Sequence, residues 1–173
     1  MNDASPGVDD PVNDDSLVES EEFDSLAGIL ADGVVGAAGG LVGTAMMSVV
    51  FLIAQSVGAF SFGDFAILTE IVGLTGYVPE VLFGLFVFLG GGMFPWPLLF
   101  ASLKAYLPGD SDAKAGAFFG AAMWTGFVLA FYTGQSGVTL ALYAALTLLA
   151  HVVYGVGLGM VFTYFATRPD SIV

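Results

Sequence analysis

The fold is decided at residues 102–116, which read SLKAYLPGDSDAKAG and separate two long apolar runs. This polar connection holds Lys104 and Lys114, two of the three basic residues in the chain, and the third, Arg168, follows the last apolar run. Four such runs can be drawn, at residues 33–58, 81–103, 115–133 and 138–165. Each matches the ~20 residues that a helix needs to cross ~30 Å of hydrocarbon. The sequence therefore predicts an all-α fold, a four-helix transmembrane bundle.

The three basic residues also predict the orientation of this bundle. Threading the four runs in order places the 102–116 connection and Arg168 on one side of the membrane. Because cytoplasmic loops carry the excess of Lys and Arg, that side is predicted to be the cytoplasm, with both termini facing in. The predicted location is the plasma membrane.

Composition narrows the class of protein further. An apolar content of 57%, a mean hydropathy of +0.87 and 24 glycines lie outside the range of soluble domains. The chain has no cysteine, which excludes disulfides, thiolate metal sites and thiol catalysis. We expect no enzymatic activity, no bound metal and no cofactor.

Charge is unevenly distributed, with 16 acidic residues against three basic ones. Residues 1–30 are rich in Asp and Glu and are predicted to form a disordered cytoplasmic tail, followed by a membrane domain at 31–167 and a short cytoplasmic C-terminus at 168–173. Such a tail repels nucleic acid, so nucleic acid is not an expected partner. Acid-rich, Lys-poor polar segments suit concentrated salt, where charges are screened, and this favours a halophilic prokaryote.

The segment between the first two crossings predicts a short helix that lies in the outer membrane interface. Over residues 65–72, Phe65, Leu68, Ile71 and Val72 fall on one side of such a helix, and Asp64 is its predicted N-cap.

The second crossing contains two helix-weakening clusters close together. They are the three glycines around Gly91, and Pro95 and Pro97 on either side of Trp96. Each proline removes a backbone donor and crowds the preceding turn. One interpretation is a kink, with Trp96 at the cytoplasmic interface and residues 98–106 turning out along the surface. The other is a discontinuous helix of the kind that lines transporter sites.

Glycines recur at steps of four and predict close helix packing, since small residues let helices approach in lipid. The positions singled out are Gly36, Gly40, Gly116, Gly120, Gly155 and Gly159. Two of these pairs belong to a possible internal repeat with an offset of 80 residues, in which residues 36–56 match residues 116–136 at glycine, alanine, phenylalanine, glutamine and serine positions.

His151 is the only histidine and lies near the middle of the fourth crossing. An ionisable side chain at that depth is a functional hypothesis by default. If the glycine stripes pack together, His151 is expected to hydrogen-bond Ser48 or Thr44, with Thr147 and Tyr154 on the same flank. Two interpretations stay open: a neutral histidine that serves packing alone, or a proton relay or cofactor ligand. A haem site would need His151 from each of two copies.

The motifs Gly40–Met46, Pro95-Trp96-Pro97 ending at Leu107-Pro108-Gly109, and His151-x-x-Tyr154-Gly155 resemble small uncharacterised four-helix membrane proteins of halophilic archaea. The resemblance implies fold and topology and brings no activity. Three functions follow from the sequence as hypotheses. The first is an accessory or self-associating membrane component, whose partners are the lipid bilayer and other membrane subunits or itself. The second is a small ion or proton transporter or channel using the broken helix and His151. The third is a haem- or quinone-binding redox accessory.

Overall fold

The computed structural model describes the backbone of residues 14–167 and the side chains of residues 33–167. In this part of the chain every regular element is helical, so the all-α prediction is confirmed. The elements are α1 (Asp14–Ser56), a 3₁₀ turn (Phe62–Phe65), α2 (Ala66–Ile71), α3 (Glu80–Met93), α4 (Pro95–Leu103), a second 3₁₀ turn (Lys104–Tyr106), α5 (Asp112–Ala130) and α6 (Gly137–Ala166). Helix α1 begins at Asp14, within the segment predicted to be acidic tail. Residues 1–13 and Arg168 lie outside the described residues.

Four helical segments are long and apolar enough to cross a bilayer, which indicates a membrane protein. They are Gly33–Ser56, Glu80–Tyr106, Asp112–Ala130 and Gly137–Ala166. They agree with the four predicted runs to within three residues at each end, so the prediction of four crossings is confirmed. The agreement follows from length and hydropathy alone, because both quantities are set by the residues of each run.

Helix α6 lies at the centre of the bundle, between α1 and α5. Helices α3 and α4 pack against α1, and α2 packs against α3. In the most apolar stretch of each crossing, 50% of α6 is buried inside the protein but only 11% of the α3–α4 crossing. The α3–α4 crossing is therefore peripheral and exposes most of its surface.

Phenylalanines fill the space where the helix backbones do not meet. A first group, here called the α2-end cluster, joins α1, α3 and α5 to the loop before α2 through Phe51, Phe60, Phe62, Phe65, Phe88, Phe127 and Phe131. A second group, the Lys104-end cluster, joins α4, α5 and α6 through Phe100, Phe119 and Phe162. Ring pairs of this kind stabilise contacts between surfaces too far apart for backbone packing.

The segment around α2 differs from its prediction in two ways. Ser61 is the N-cap of the first 3₁₀ turn: its hydroxyl accepts from Gly63 N at 3.0 Å. Asp64 instead accepts from the Ser61 N–H at 3.2 Å, so the prediction of Asp64 as N-cap is wrong. Phe65 is fully buried, whereas Ile71 and Val72 are exposed. The predicted common face is wrong because Phe65 ends a 3₁₀ turn, whose three-residue period shifts the register before α2 begins.

The second crossing is divided at one residue. Phe94, with φ −120° and ψ −75°, separates α3 from α4. Phe100 is fully buried, with ring centres 5.5 Å from Phe119 and 5.4 Å from Phe162. Its neighbours Leu98, Leu99 and Leu103 are exposed, and the expectation that residues 98–106 turn out along the surface stays a prediction.

Candidate functional site

His151 is almost completely enclosed, with 3% of its surface exposed. Its Nδ1 lies 2.8 Å from the carbonyl oxygen of Thr147, one turn earlier in α6. Because a carbonyl can only accept, Nδ1 donates this bond, and Nε2 is the acceptor nitrogen of the neutral ring. The ring packs against Phe127, with centres 4.6 Å apart, and perpendicular to Phe51 at 6.2 Å.

Thr147 connects His151 to α5. Its hydroxyl donates to the Tyr143 carbonyl at 2.6 Å and accepts from the Trp124 indole N–H at 2.9 Å. Thr147 is fully buried, so this bond between side chains ties α5 to α6 inside the bundle. The contribution of Trp124 was not predicted, although an indole within a membrane helix needs an acceptor for its N–H and so gives a signal in the sequence.

A second polar group lies where the α3–α4 crossing breaks. The Tyr154 hydroxyl donates to the carbonyl oxygen of Gly92 at 2.8 Å, which joins α6 to the end of α3. Thr44 of α1 is 4% exposed, and its hydroxyl lies close to Gly92: a Cβ added there would be 2.5 Å from Thr44 Oγ1. Within the described residues, this hydroxyl has no hydrogen-bond partner.

The residues predicted to form one polar cluster thus belong to two groups. The Ser48 hydroxyl donates to the Thr44 carbonyl at 2.8 Å, and His151 donates to the Thr147 carbonyl. The expected bond from His151 to Ser48 or Thr44 is therefore not formed among the described residues. The bonds form within each helix because a hydroxyl or imidazole can reach the carbonyl one turn earlier in its own helix, whatever the position of the neighbouring helix.

The break itself is covered by small residues of α1. A Cβ added at Gly40 would lie 2.7 Å from Pro97 Cγ and 2.9 Å from Met93 Cα. One turn away, a Cβ at Gly36 would lie 3.4 Å from Pro97 Cβ. Gly91 lies beside Trp96, whose Nε1 would be 3.2 Å from such a Cβ. Helix α1 therefore approaches the break more closely than any side chain at Gly40 would allow.

The remaining singled-out glycines lie between α5 and α6. A Cβ at Gly116 would be 2.8 Å from the carbonyl carbon of Gly155, and one at Gly155 would be 2.5 Å from that of Gly116. A Cβ at Gly120 would be 2.8 Å from the carbonyl carbon of His151, and one at Gly159 would be 2.5 Å from the carbonyl carbon of Asp112. The backbones of α5 and α6 are thus in direct contact over about one turn on each side of Gly155.

An open cavity of about 380 Å³ lies at the α2 end of the bundle. Its polar lining includes Gln55, Ser61, Asp64, Thr133 and Gln135. The two glutamines are the pair matched by the 80-residue offset, and each caps a loop: Gln55 Oε1 accepts from Phe62 N, and Gln135 Oε1 accepts from Thr133 N, both at 3.0 Å. The two matched glutamines therefore both accept a backbone N–H from a loop at this end of the bundle.

In the described part of the chain, no three His, Cys, Asp or Glu side chains are placed to hold a metal ion. The charged residues of the four crossings lie at their ends, as in the ion pair between Lys104 and Asp112 at 3.1 Å. The His151 ring is enclosed by Phe51 and Phe127 and has 3% of its surface exposed.

Comparison with protein families matches residues 30–173 to a family of unknown function, DUF6789, and the chain belongs to this family. No curated protein and no solved structure matches the chain.

Proposed function

We propose that this member of DUF6789 is a non-enzymatic membrane component that assembles with a second copy of itself or with another membrane subunit. The observation that supports this proposal is the outer face of α5. Ala122, Gly126 and Ala130 follow one another there at steps of four, and all three are exposed. A Cβ added at Gly126 would meet nothing within 4 Å. Stripes of small residues are how helices approach one another in lipid.

This stripe differs from the other glycine stripes of the chain. Gly40 and Gly155 face backbone or proline inside the same molecule, so a larger residue there disturbs the fold before it disturbs assembly. Gly126 has no such internal contact. A change of assembly without a change of fold is therefore expected from α5's outer face and not from Gly40 or Gly155.

The absence of cysteine makes a direct test possible. The single variant Gly126→Cys is oxidised in native membranes and is expected to give a disulfide-linked species, either a dimer or an adduct with another subunit. Gly90→Cys, at a glycine of α3 that is equally free of neighbours, is the matched control and is expected to stay monomeric. Equal cross-linking of both variants, or of neither, contradicts assembly through α5.

We propose the orientation with both termini in the cytoplasm of a plasma membrane. It rests on Lys104, Lys114 and Arg168, and it places α2, with exposed Ile71 and Val72, in the outer interface. In intact cells, an impermeant maleimide is expected to label Ser136→Cys and to spare Ser111→Cys; both serines are exposed. The reverse pattern contradicts the orientation. The excess of acidic residues supports work in concentrated salt, as in halophilic archaea.

A small ion or proton transporter or channel is the second candidate, favoured by the break between α3 and α4 with Thr44 and Tyr154 beside it. It predicts flux in liposomes that His151→Leu abolishes. Flux that is indifferent to this substitution argues against His151 as the site. A redox accessory that binds haem or quinone is the third candidate, and visible absorption of the protein extracted gently in high salt tests it.

A further inference from the structure

The hydroxyl of Thr44 is the exception among the buried side-chain hydroxyls of the described residues. The other buried threonines, Thr69 and Thr147, each donate to a carbonyl. The hydroxyls of Ser48, Ser102, Thr125 and Thr147 do so to a carbonyl three or four residues earlier in the same helix. Thr44 has the carbonyl of Gly40 in that position but makes no hydrogen bond within the described residues. A buried hydroxyl without a partner loses its interaction with water and is destabilising by roughly 1–3 kcal/mol. Such a group in a folded protein calls for a bound partner.

Acceptors that lack a donor lie on the neighbouring chain segment. In an unbroken helix, the carbonyls of Gly91 and Met93 would accept from residues 95 and 97. Both of those residues are proline and have no N–H to donate. The Gly92 carbonyl between them is already bonded to Tyr154. The break therefore combines one buried donor with two carbonyls that the helix leaves unsatisfied.

We propose that the break between α3 and α4 binds one ordered water molecule, held by the Thr44 hydroxyl and the carbonyls that Pro95 and Pro97 leave without donors. The water accepts the Thr44 hydrogen and donates its own hydrogens to the carbonyl oxygens. Ordered water is one of the ways in which proline-interrupted membrane helices satisfy their backbone. A buried water of this kind makes about three hydrogen bonds, the number that one hydroxyl and two carbonyls would supply.

The charges around the site favour water over a cation. The described parts of the crossings hold no carboxylate near Thr44, so nothing there would compensate a positive charge. Thr44 is eleven residues beyond Gly33, a rise of ~16 Å along α1, which is about half of the ~30 Å hydrocarbon layer. The proposed water molecule therefore lies about midway across the bilayer, beside the break between α3 and α4.

Solid-state NMR of the full chain in lipid bilayers provides the test. With threonine labelled, magnetisation transferred from water is expected to reach Thr44 as strongly as an exposed threonine. Thr147 is the matched control, since it is also buried but has both Trp124 and Tyr143 as partners, and it is expected to receive little. Equal and weak transfer to Thr44 and Thr147 overturns the proposal. A Thr44 signal that shifts when choline replaces sodium also overturns the proposal, because the species bound beside Thr44 is then a cation.

The sign of a stability change gives a second, independent test. Thr44→Val removes the hydroxyl at nearly constant volume. If a water bridges Thr44 to the break, the unfolding midpoint of the Thr44→Val variant falls by about 2–4 °C below that of the wild type. The Thr44→Ser variant keeps the hydroxyl and is expected to keep the wild-type midpoint. Thr125→Val, exposed and bonded within its own helix, controls for the loss of a hydroxyl. An unchanged or raised midpoint for Thr44→Val shows that the hydroxyl has no partner and overturns the proposal.

Discussion

The α5–α6 pair and the α3–α4 crossing differ in continuity and in exposure. Helices α5 and α6 are unbroken, and their backbones touch where Gly116 faces Gly155. The α3–α4 crossing is broken at Phe94, is mostly exposed, and is held by α1, by Tyr154 and by phenylalanine rings. In lipid, where apolar burial gives no net drive between helices, close packing and hydrogen bonds hold helices together. Both regions use both means: the first combines backbone contact at Gly116 and Gly155 with the bond from Trp124 to Thr147, and the second combines the close approach of Gly40 with the bond from Tyr154 to Gly92.

The largest expected effect breaks the α5–α6 contact. Gly155→Leu introduces a side chain where even a Cβ would lie 2.5 Å from the carbonyl carbon of Gly116. Because backbone cannot move aside as a side chain can, we expect a loss of more than about 3 kcal/mol and little folded protein. Yield and unfolding midpoint in detergent measure it. Gly126→Leu, at a site free of neighbours, is expected to fold normally, and comparable loss in both variants would contradict the role of backbone contact.

A smaller effect is expected where α1 covers the break. Gly40→Ala places a Cβ 2.7 Å from Pro97 Cγ, and the peripheral α3–α4 crossing can shift to relieve it. We expect a loss of about 1–3 kcal/mol. Gly90→Ala meets nothing within 4 Å and is expected to be neutral or stabilising, since alanine favours helix. If Gly40→Ala is also neutral, the close approach of α1 to the break is not required.

Removing the Tyr154 hydroxyl is expected to affect the α3–α4 crossing and to leave α5 unchanged. Tyr154→Phe leaves the Gly92 carbonyl without its donor, at an expected loss of about 1–2 kcal/mol. Hydrogen exchange is expected to increase at the amides next to Phe94 and to stay unchanged in α5. The control is Tyr106→Phe, where the side chain is 86% exposed. Increased exchange spread evenly over the bundle would count against a local role for Tyr154.

The smallest effect is expected at one of the hydrogen bonds between α5 and α6, the bond from the Trp124 indole to the Thr147 hydroxyl. Trp124→Phe removes the indole donor, while Thr147 keeps its bond to the Tyr143 carbonyl. Polar bonds between membrane helices average about 0.6 kcal/mol, and we expect a change of that order in the unfolding free energy. An effect as large as that of Gly155→Leu would mean that the indole, and not the glycines, holds the pair together.

The sequence predictions were correct where they depended on the length and hydropathy of one segment alone and wrong where they depended on contacts between segments or on the helical period of a short turn. The four crossings were predicted to within three residues, because length and hydropathy belong to each segment by itself. The hydrogen-bond partner of His151 was predicted wrongly, since Ser48 and His151 each bond to a carbonyl of their own helix. The face of the segment before α2 was also wrong, because a 3₁₀ turn at Phe62–Phe65 changed the helical period. The orientation, the acidic tail and the roles of the site residues stay predictions.

The sequence by itself determined the number of crossings and the place where the second one breaks. A proline has no N–H in any environment, so Pro95 and Pro97 interrupt a helix wherever it packs. Only the tertiary structure decided that Gly116 meets Gly155, that Tyr154 bonds Gly92, and that Gly126 remains open. Glycine stripes on α1, α5 and α6 look alike along the chain, and which of them faces a neighbour depends on how the whole bundle is assembled.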